Sequence, residues 1–223
     1  MTAARHHTIV FGGTFDPIHH GHLRSAIELR EALAAEELRL VPSHRPPLRG
    51  APGADSKQRL AMVEAAIAGT PGLVVDGREL LRDRPSYTVD TLRQMRAEFG
   101  EDRALTWVMG SDAYNQLHRW QQWQSLFELA NVLVIERADF ALQPAAEVTE
   151  FCAPRRLAGA SELGRQAAGG FYCMSLIQLP ISASDIRDRI RCGRSIRYLV
   201  PDGVAELIHH WALYQAQPTG IPS

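Results

Sequence analysis

From Thr8 to Tyr214, short runs of branched and aromatic residues alternate with longer stretches of helical periodicity. Residues 8–11 (TIVF), 37–42 (ELRLVP), 73–75 (LVV), 104–110 (ALTWVMG), 131–137 (NVLVIER) and the run FYCMSLIQLP read as strands. Residues 21–35 read as a helix with Leu23, Ala26, Ile27, Leu33 and Ala34 turned inward and Arg24, Glu28 and Glu31 towards water. SKQRLAMVEAAIAG, with Ser56 as N-cap and a stop at Gly69, and PSYTVDTLRQMRAEFG, ending at Gly100, read as two more. Trp-rich helical sequence precedes residue 131, and SASDIRDRIRCG and PDGVAELIHHWALY close the chain as helices. Strands that alternate with helices in this way predict an α/β fold, a doubly wound parallel sheet with helices on both faces. No linker or repeat divides the 223 residues, so one domain over 1–223 is expected; residues 139–170, weakly patterned and rich in Pro, Ala and Gly, read as a variable insertion.

Charge and cysteine usage narrow the function classes. The formal net charge is −1, which disfavours an arginine-rich nucleic-acid-binding module, a reading that needs a basic stripe. Lys57 is the only lysine; genome composition accounts for the arginine bias, and arginine also suits bidentate phosphate binding. Cys152, Cys173 and Cys192 form no CxxC, so neither a disulfide framework nor a zinc ribbon is expected. No signal peptide pattern and no apolar stretch near the roughly 20 residues of a membrane span is present, and the expected setting is cytoplasmic.

The chemistry concentrates in GGTFDPIHHGH, residues 12–22, between the first strand and the first helix. In a doubly wound sheet this loop lies at the ligand edge. Gly12 and Gly13 permit a sharp turn and close approach of the backbone to a ligand. The following helix start aims N–H groups and a positive dipole end at the same place, which favours an anion such as phosphate. His19 and His22, three apart, share a face there and are expected to lie outside the core. A P-loop needs a lysine after its second glycine, and a dinucleotide fingerprint needs G-x-G-x-x-G; neither is present. A zinc site on His19, His20 and His22 is conceivable, but no further ligand follows at zinc-motif spacing.

GGTFDPIHHGH resembles the signature of the nucleotidyltransferase superfamily, whose [HT]-x-G-H motif here is His19, His20, Gly21, His22. The longer form is most similar to the bacterial nicotinate mononucleotide adenylyltransferases. VPSHRPPLR, RELLRDRPSYTVDTL, VMGSDAYNQLHRW and ISASDIRDRIRCGRSIRYLVPDGV resemble that family's further motifs in the same order, and only about 139–170 is uncovered. The resemblance implies a Rossmann-like nucleotidyltransferase fold with C-terminal helices. It implies adenylyl transfer from ATP to nicotinate mononucleotide, giving deamido-NAD and pyrophosphate, with Mg²⁺ accompanying ATP and no dedicated protein ligands for the metal. ATP and the mononucleotide are the expected partners; nucleic acid and membrane are not.

The resemblance also implies residue roles. His19 and His22 would be catalytic, gripping the ATP phosphates and stabilising charge on the α-phosphorus. Gly12, Gly13, Thr14, Phe15, Gly21, Gly110, Asp112, Ser184 and Arg187 would bind ATP. Ser86, Tyr87, Thr88, Trp120 and Arg49 would bind the mononucleotide, with Trp120 stacking on the nicotinate ring. Residue-level alternatives stand beside these. Ser182 and Asp185 form an S-x-x-D box that would simply start a helix. Asp112 could cap a helix instead of binding ribose, and Trp120 could be a core residue, as Trp123 is expected to be. The family loop P-P-H-[KR] reads Pro46-Pro47-Leu48-Arg49, so its histidine is missing, with His44 or Arg45 as candidate replacements. His6, His7, His209 and His210 match no motif and read as surface or packing residues. Acid over amide preference is expected to come from two helix starts, one after PSYT and one at RWQQW, holding backbone donors near the carboxylate.

Overall fold

The computed structural model describes residues 6–45, 50–83, 85–136 and 141–216. Six strands form one sheet: β1 (His7–Gly13), β2 (Glu37–Pro42), β3 (Leu73–Val75), β4 (Ala104–Gly110), β5 (Asn131–Glu136) and β6 (Phe171–Ser175). Their order is β3-β2-β1-β4-β5-β6, and every pairing is parallel. The chain steps outward from β1 to β3, then crosses back to lay β4 on the other side of β1. That reversal is a topological switch point between the carboxyl ends of β1 and β4, the place where doubly wound sheets bind ligands.

The helices are α1 (His20–Ala32), α2 (Ser56–Ile67), α3 (Thr88–Phe99), α4 (Ser111–Tyr114), α5 (Leu126–Leu129), α6 (Ala146–Cys152), α7 (Ala183–Arg191) and α8 (Asp202–His210). Alternation along the strands feeds two cores. Ile9, Leu38, Leu40, Val108 and Leu133 face α1, α2, α7 and α8. Val10, Val41, Leu105, Trp107 and Val132 face α3, α5 and α6. Both faces are therefore apolar, as a parallel sheet covered on both sides requires.

Three local expectations are corrected. Helix α1 ends at Ala32, and Ala34 takes the left-handed conformation at φ +46°, so Ala34 is exposed while Leu29 supplies the buried position. The N-cap of α2 is Asp55, not Ser56: its carboxylate accepts from Gln58 N, and the Gln58 side chain accepts from Asp55 N, a complete capping box. RWQQW starts no α-helix. Gln122 sits at φ +50°, and Trp123–Ser125 is a single 3₁₀ turn. Residues 141–170 build α6 and short 3₁₀ turns, burying Val148, Cys152 and Leu163. Buried Asn131 ties this segment to β5, donating to the carbonyls of Leu163 (2.9 Å) and Gln166 (3.0 Å) and accepting from Gly170 N (2.8 Å). His7 is buried, its Nε2 2.9 Å from Thr106 Oγ1, a packing role at the amino end of β1, opposite the switch point.

Candidate active site

The turn from β1 into α1 brings two imidazoles together. His19 is the N-cap of α1 with extended backbone (φ −149°, ψ 169°), and His22 lies one turn on. Their rings stack with centroids 3.7 Å apart and planes 26° from parallel. Gly21 makes this possible, since a Cβ there would stand 3.0 Å from His19 Nδ1. Phe15, itself at φ +49°, sets its ring edge-to-face against His22 at 5.1 Å. His20 N donates to Leu199 O (3.0 Å), fastening the helix start to the segment before α8. One expectation changes: His19 is only 5% exposed and belongs to the packed interior of the turn, because it folds back over its own helix start.

The glycines of β1 also have packing partners. A Cβ on Gly12 would collide with the Trp107 indole from β4, and one on Gly13 would lie 2.8 Å from the Phe15 ring. The first glycine thus admits a tryptophan from the neighbouring strand. Gly110, at the end of β4, has the same relation to Asp112: a Cβ would be 2.7 Å from Asp112 Oδ1, so the carboxylate folds back over the strand end. The cap of α4 is Gly110, and Asp112 sits inside its first turn, so Asp112 is not the N-cap.

Helix α7 contributes from the other end of the chain. Ser182 caps it, accepting from Asp185 N at 3.1 Å, while the Asp185 carboxylate turns to Arg189 Nε at 2.8 Å. Ser182 is therefore engaged as a cap. Arg187 reaches back to the first loop: its Nη1 donates to Asp16 O at 2.7 Å, and its Nη2 lies 3.4 Å from Ser184 Oγ. The structure thus brings Ser184, Arg187, His19, His22 and the loop Thr14–Phe15 to one place at the end of β1.

Tyr87 and Trp120 lie on the opposite face, both partly buried against the core of α3 and α5. Trp120 follows a 3₁₀ turn over Leu117–Arg119, whereas Trp123 is buried and meets Phe151 at 4.9 Å. Helix α3 begins at Thr88 with Tyr87 at its cap and no side-chain cap. Ser86 is a bracket: its Oγ accepts from His44 N (2.9 Å) and its N donates to Arg45 O (3.1 Å), joining the loop after β2 to the start of α3. His44 Nδ1 is 2.8 Å from Ser56 Oγ, and Arg45 lies 3.5 Å from Asp83. Arg49 and Leu48 lie outside the described residues.

Sequence reasoning passed over three buried polar residues that hold these loops. Arg59, 1% exposed, donates to the carbonyls of Thr14 (2.7 Å), Ser43 (2.7 Å), His44 (3.2 Å) and Ala54 (3.2 Å). Burial lowers its pKa from the ordinary value, with the Asp16 charge opposing. Glu79 accepts from Thr91 Oγ1 at 2.6 Å; burial raises its pKa, against hydrogen bonds from Thr91 and Ser86. Asp16 receives the backbone N–H groups of Gly53 (2.8 Å) and Ala54 (3.0 Å) and the Tyr214 hydroxyl (2.8 Å). Asp16 and Glu79 stood inside quoted motifs, which was their signal. Arg59 had none, since an amphipathic helix gives no reason to turn an arginine inward.

Known proteins resemble this chain at both levels. The cytidylyltransferase-like family model matches residues 10–189. A Marinobacter nauticus protein named "Probable nicotinate-nucleotide adenylyltransferase" is 49% identical over 210 residues, covering 94% of this chain and 97% of its own. A protein of the same name from Pseudomonas paraeruginosa is 45% identical over 207 residues, covering 93% and 96%. Among solved structures, the Plasmodium falciparum nicotinic acid mononucleotide adenylyltransferase complexed with NaAD matches with a TM-score of 0.72, covering 94% of this chain and 98% of that one. At 16% identity that likeness is one of fold.

Proposed function

The chain belongs to the cytidylyltransferase-like family and, within it, to the nicotinate-nucleotide adenylyltransferases, and from that premise we propose how its residues carry the reaction. The protein transfers the adenylyl group of ATP to nicotinate mononucleotide, giving deamido-NAD and pyrophosphate, a step of NAD biosynthesis. The observation that carries the residue assignment is the convergence of the stacked His19–His22 pair with Ser184 and Arg187 at the end of β1, beside the switch point.

The acceptor's 5′-phosphate is already an anion, so an oxygen of it attacks the α-phosphorus directly as the bond to the bridging oxygen breaks and pyrophosphate leaves. No general base or covalent enzyme nucleophile is needed. His19 and His22 donate hydrogen bonds where charge builds on the α-phosphate and the bridging oxygen. Ser184 and Arg187 hold the outer phosphates, and Gly110 and Asp112 take the adenosine, the carboxylate accepting from ribose hydroxyls. Thr14 and Phe15 shape the turn that keeps the pair in place, and Arg59 fixes that turn by its hydrogen bond to Thr14 O.

On the other face, Trp120 and Tyr87 flank the nicotinate ring, and the N–H groups at the start of α3, around Thr88, face its carboxylate. Of the two helix starts expected, this one supports acid selectivity; the Trp123 turn is too short to have a comparable dipole end. Arg49 serves the acceptor phosphate. Mg²⁺, when bound with ATP, supplies further neutralisation of phosphate charge. Among the described residues no group of three or more His, Cys, Asp or Glu could hold a metal ion; the imidazole, hydroxyl and guanidinium groups gathered here would suit phosphate oxygens. No helix among the described residues is long and apolar enough to cross a membrane.

ATP labelled at the α-phosphorus tests the scheme. Label is expected in the dinucleotide, one pyrophosphate released per product, with inverted configuration at phosphorus. Isolation of a labelled, adenylylated protein that turns over would contradict direct attack.

A further inference from the structure

We propose that Tyr214 and Asp16 form a positioning pair for the ATP site, the tyrosine hydroxyl satisfying a buried carboxylate that otherwise holds Arg187 away from the triphosphate. The inference rests on Arg187 meeting the ATP phosphates, as read above. Asp16, 6% exposed, stands three residues before His19. Its Oδ1 accepts from Tyr214 Oη at 2.8 Å and Ala54 N at 3.0 Å. Its Oδ2 accepts from Gly53 N at 2.8 Å and faces Arg187 Nη1 at 3.7 Å. The same Nη1 donates to the Asp16 carbonyl at 2.7 Å. Arg187 is thus held by the residue that precedes the histidine turn, and ATP must draw it off.

How firmly Asp16 holds Arg187 depends on how well its charge is met by other donors. Three neutral donors, two amides and one hydroxyl, spread that charge. The amides are part of the loop before α2, leaving the hydroxyl as the one side-chain donor among them. Tyr214 is built to deliver it. Its backbone lies at φ +60° and that of Ala212 at φ +49°, left-handed conformations that a non-glycine residue adopts only when its surroundings enforce them. Its ring rests on Gly53, where a Cβ would be 3.0 Å from the ring carbons. Burial and the neighbouring Asp16 charge raise the phenol's pKa, so the group remains a protonated donor.

Removing the hydroxyl leaves Asp16 Oδ1 short of a donor and tightens its hold on Arg187. Tyr214→Phe, which retains the ring, is expected to raise KM for ATP several-fold and leave KM for nicotinate mononucleotide within two-fold. In an Arg187→Ala background the same substitution is expected to change KM for ATP less than two-fold, because the competition is gone. Gly53→Ala, whose Cβ would press on the Tyr214 ring at 3.0 Å without deleting a hydroxyl, is a second route to weakening the same hydrogen bond and serves if Tyr214→Phe does not fold. A tie that only anchors the C-terminal segment would lower Tm and Vmax at unchanged KM, and that outcome overturns the proposal. Equal effects in the two backgrounds, or none in either, overturn it as well. Calorimetric binding of a non-hydrolysable ATP analogue separates this inference from the functional reading. Wild-type protein that binds the analogue without turnover removes the reading, and the pair is then decided by whether Tyr214→Phe weakens the analogue several-fold. Wild-type protein that does neither overturns both.

Discussion

Two imidazoles stack 3.7 Å apart at a helix start, and in the proposed mechanism they donate to the α-phosphate. Loss of such a preorganised donor lowers kcat by on the order of 10²-fold or more, and that is the result expected for His19→Ala and for His22→Ala. The two differ in stability. His19 is buried, so its removal leaves a cavity and lowers Tm, whereas half-buried His22 leaves a smaller gap. Thermal melts beside steady-state kinetics check both; full activity in either variant would remove that residue from the mechanism. Gly21→Ala tests the geometry alone. Its new Cβ would press on the His19 ring, and kcat is expected to fall at least ten-fold, an order-of-magnitude expectation from the geometric tolerance of catalysis, with the far-ultraviolet circular dichroism unchanged. At this scale the juxtaposition of His19, His22 and Gly21 was legible because all three stand in one contiguous motif. The sequence was silent where a buried polar residue finds partners far along the chain. Tyr214 and Asp16 are 198 residues apart, and no local pattern announces their hydrogen bond. Arg59 is hidden for the same reason.

Helix starts place most of the candidate site, and each is held differently: α1 by the Leu199 carbonyl on His20 N, α2 by the Asp55–Gln58 box, α7 by Ser182. The Asp55 carboxylate is engaged in the box with Gln58, so Asp55→Ala is expected to cost about 1 kcal/mol of stability. That corresponds to roughly 2–4 °C in Tm for a chain of this size, with kcat and both KM values unchanged. A melt and an activity assay on one sample check it; a large kinetic effect would mean that the cap also positions the loop around His44. Strand bounds were legible because short apolar runs between turn signals leave little choice: residues 37–42, 73–75 and 104–110 are the observed β2, β3 and β4. The Trp-rich segment was not. Helical composition there is interrupted by Gln122 in the left-handed region, and Trp123 turns into the core in place of continuing a helix. The Ser56 and Asp55 slip is of a smaller kind, since either residue can cap and only the Gln58 partner decides between them.

For the whole molecule, one parallel sheet whose order reverses at β1 and β4 explains why the residues on α1 and α7 proposed to hold phosphate and those near α3 proposed to hold the ring come from opposite faces. That architecture was legible from the alternation of strands and helices; the packing of residues 141–170 was not, because it depends on Asn131, a polar residue in a buried strand. The fold also sets an acid limit. His7 is buried, mainly by desolvation its pKa is lowered from 6.5 to about 4, and it stays neutral in the native state. Between those values the unfolded chain binds a proton that the native protein does not. Its contribution is therefore fully present above pH 6.5 and lost as the pH falls towards 4, an effect of order 3 kcal/mol. Urea unfolding at pH 7 and pH 4.5 is expected to show this loss in wild type, and a smaller one in His7→Gln, which retains an amide for Thr106. The most direct test of the proposed acid-selective adenylyl transfer measures kcat/KM for ATP-dependent pyrophosphate release with nicotinate mononucleotide, nicotinamide mononucleotide and phosphopantetheine in parallel. An unsatisfied buried donor costs about 1–3 kcal/mol, so the acid is expected to exceed the amide by roughly 10-fold or more, with no turnover of phosphopantetheine; equal values for acid and amide, or preference for phosphopantetheine, would contradict it.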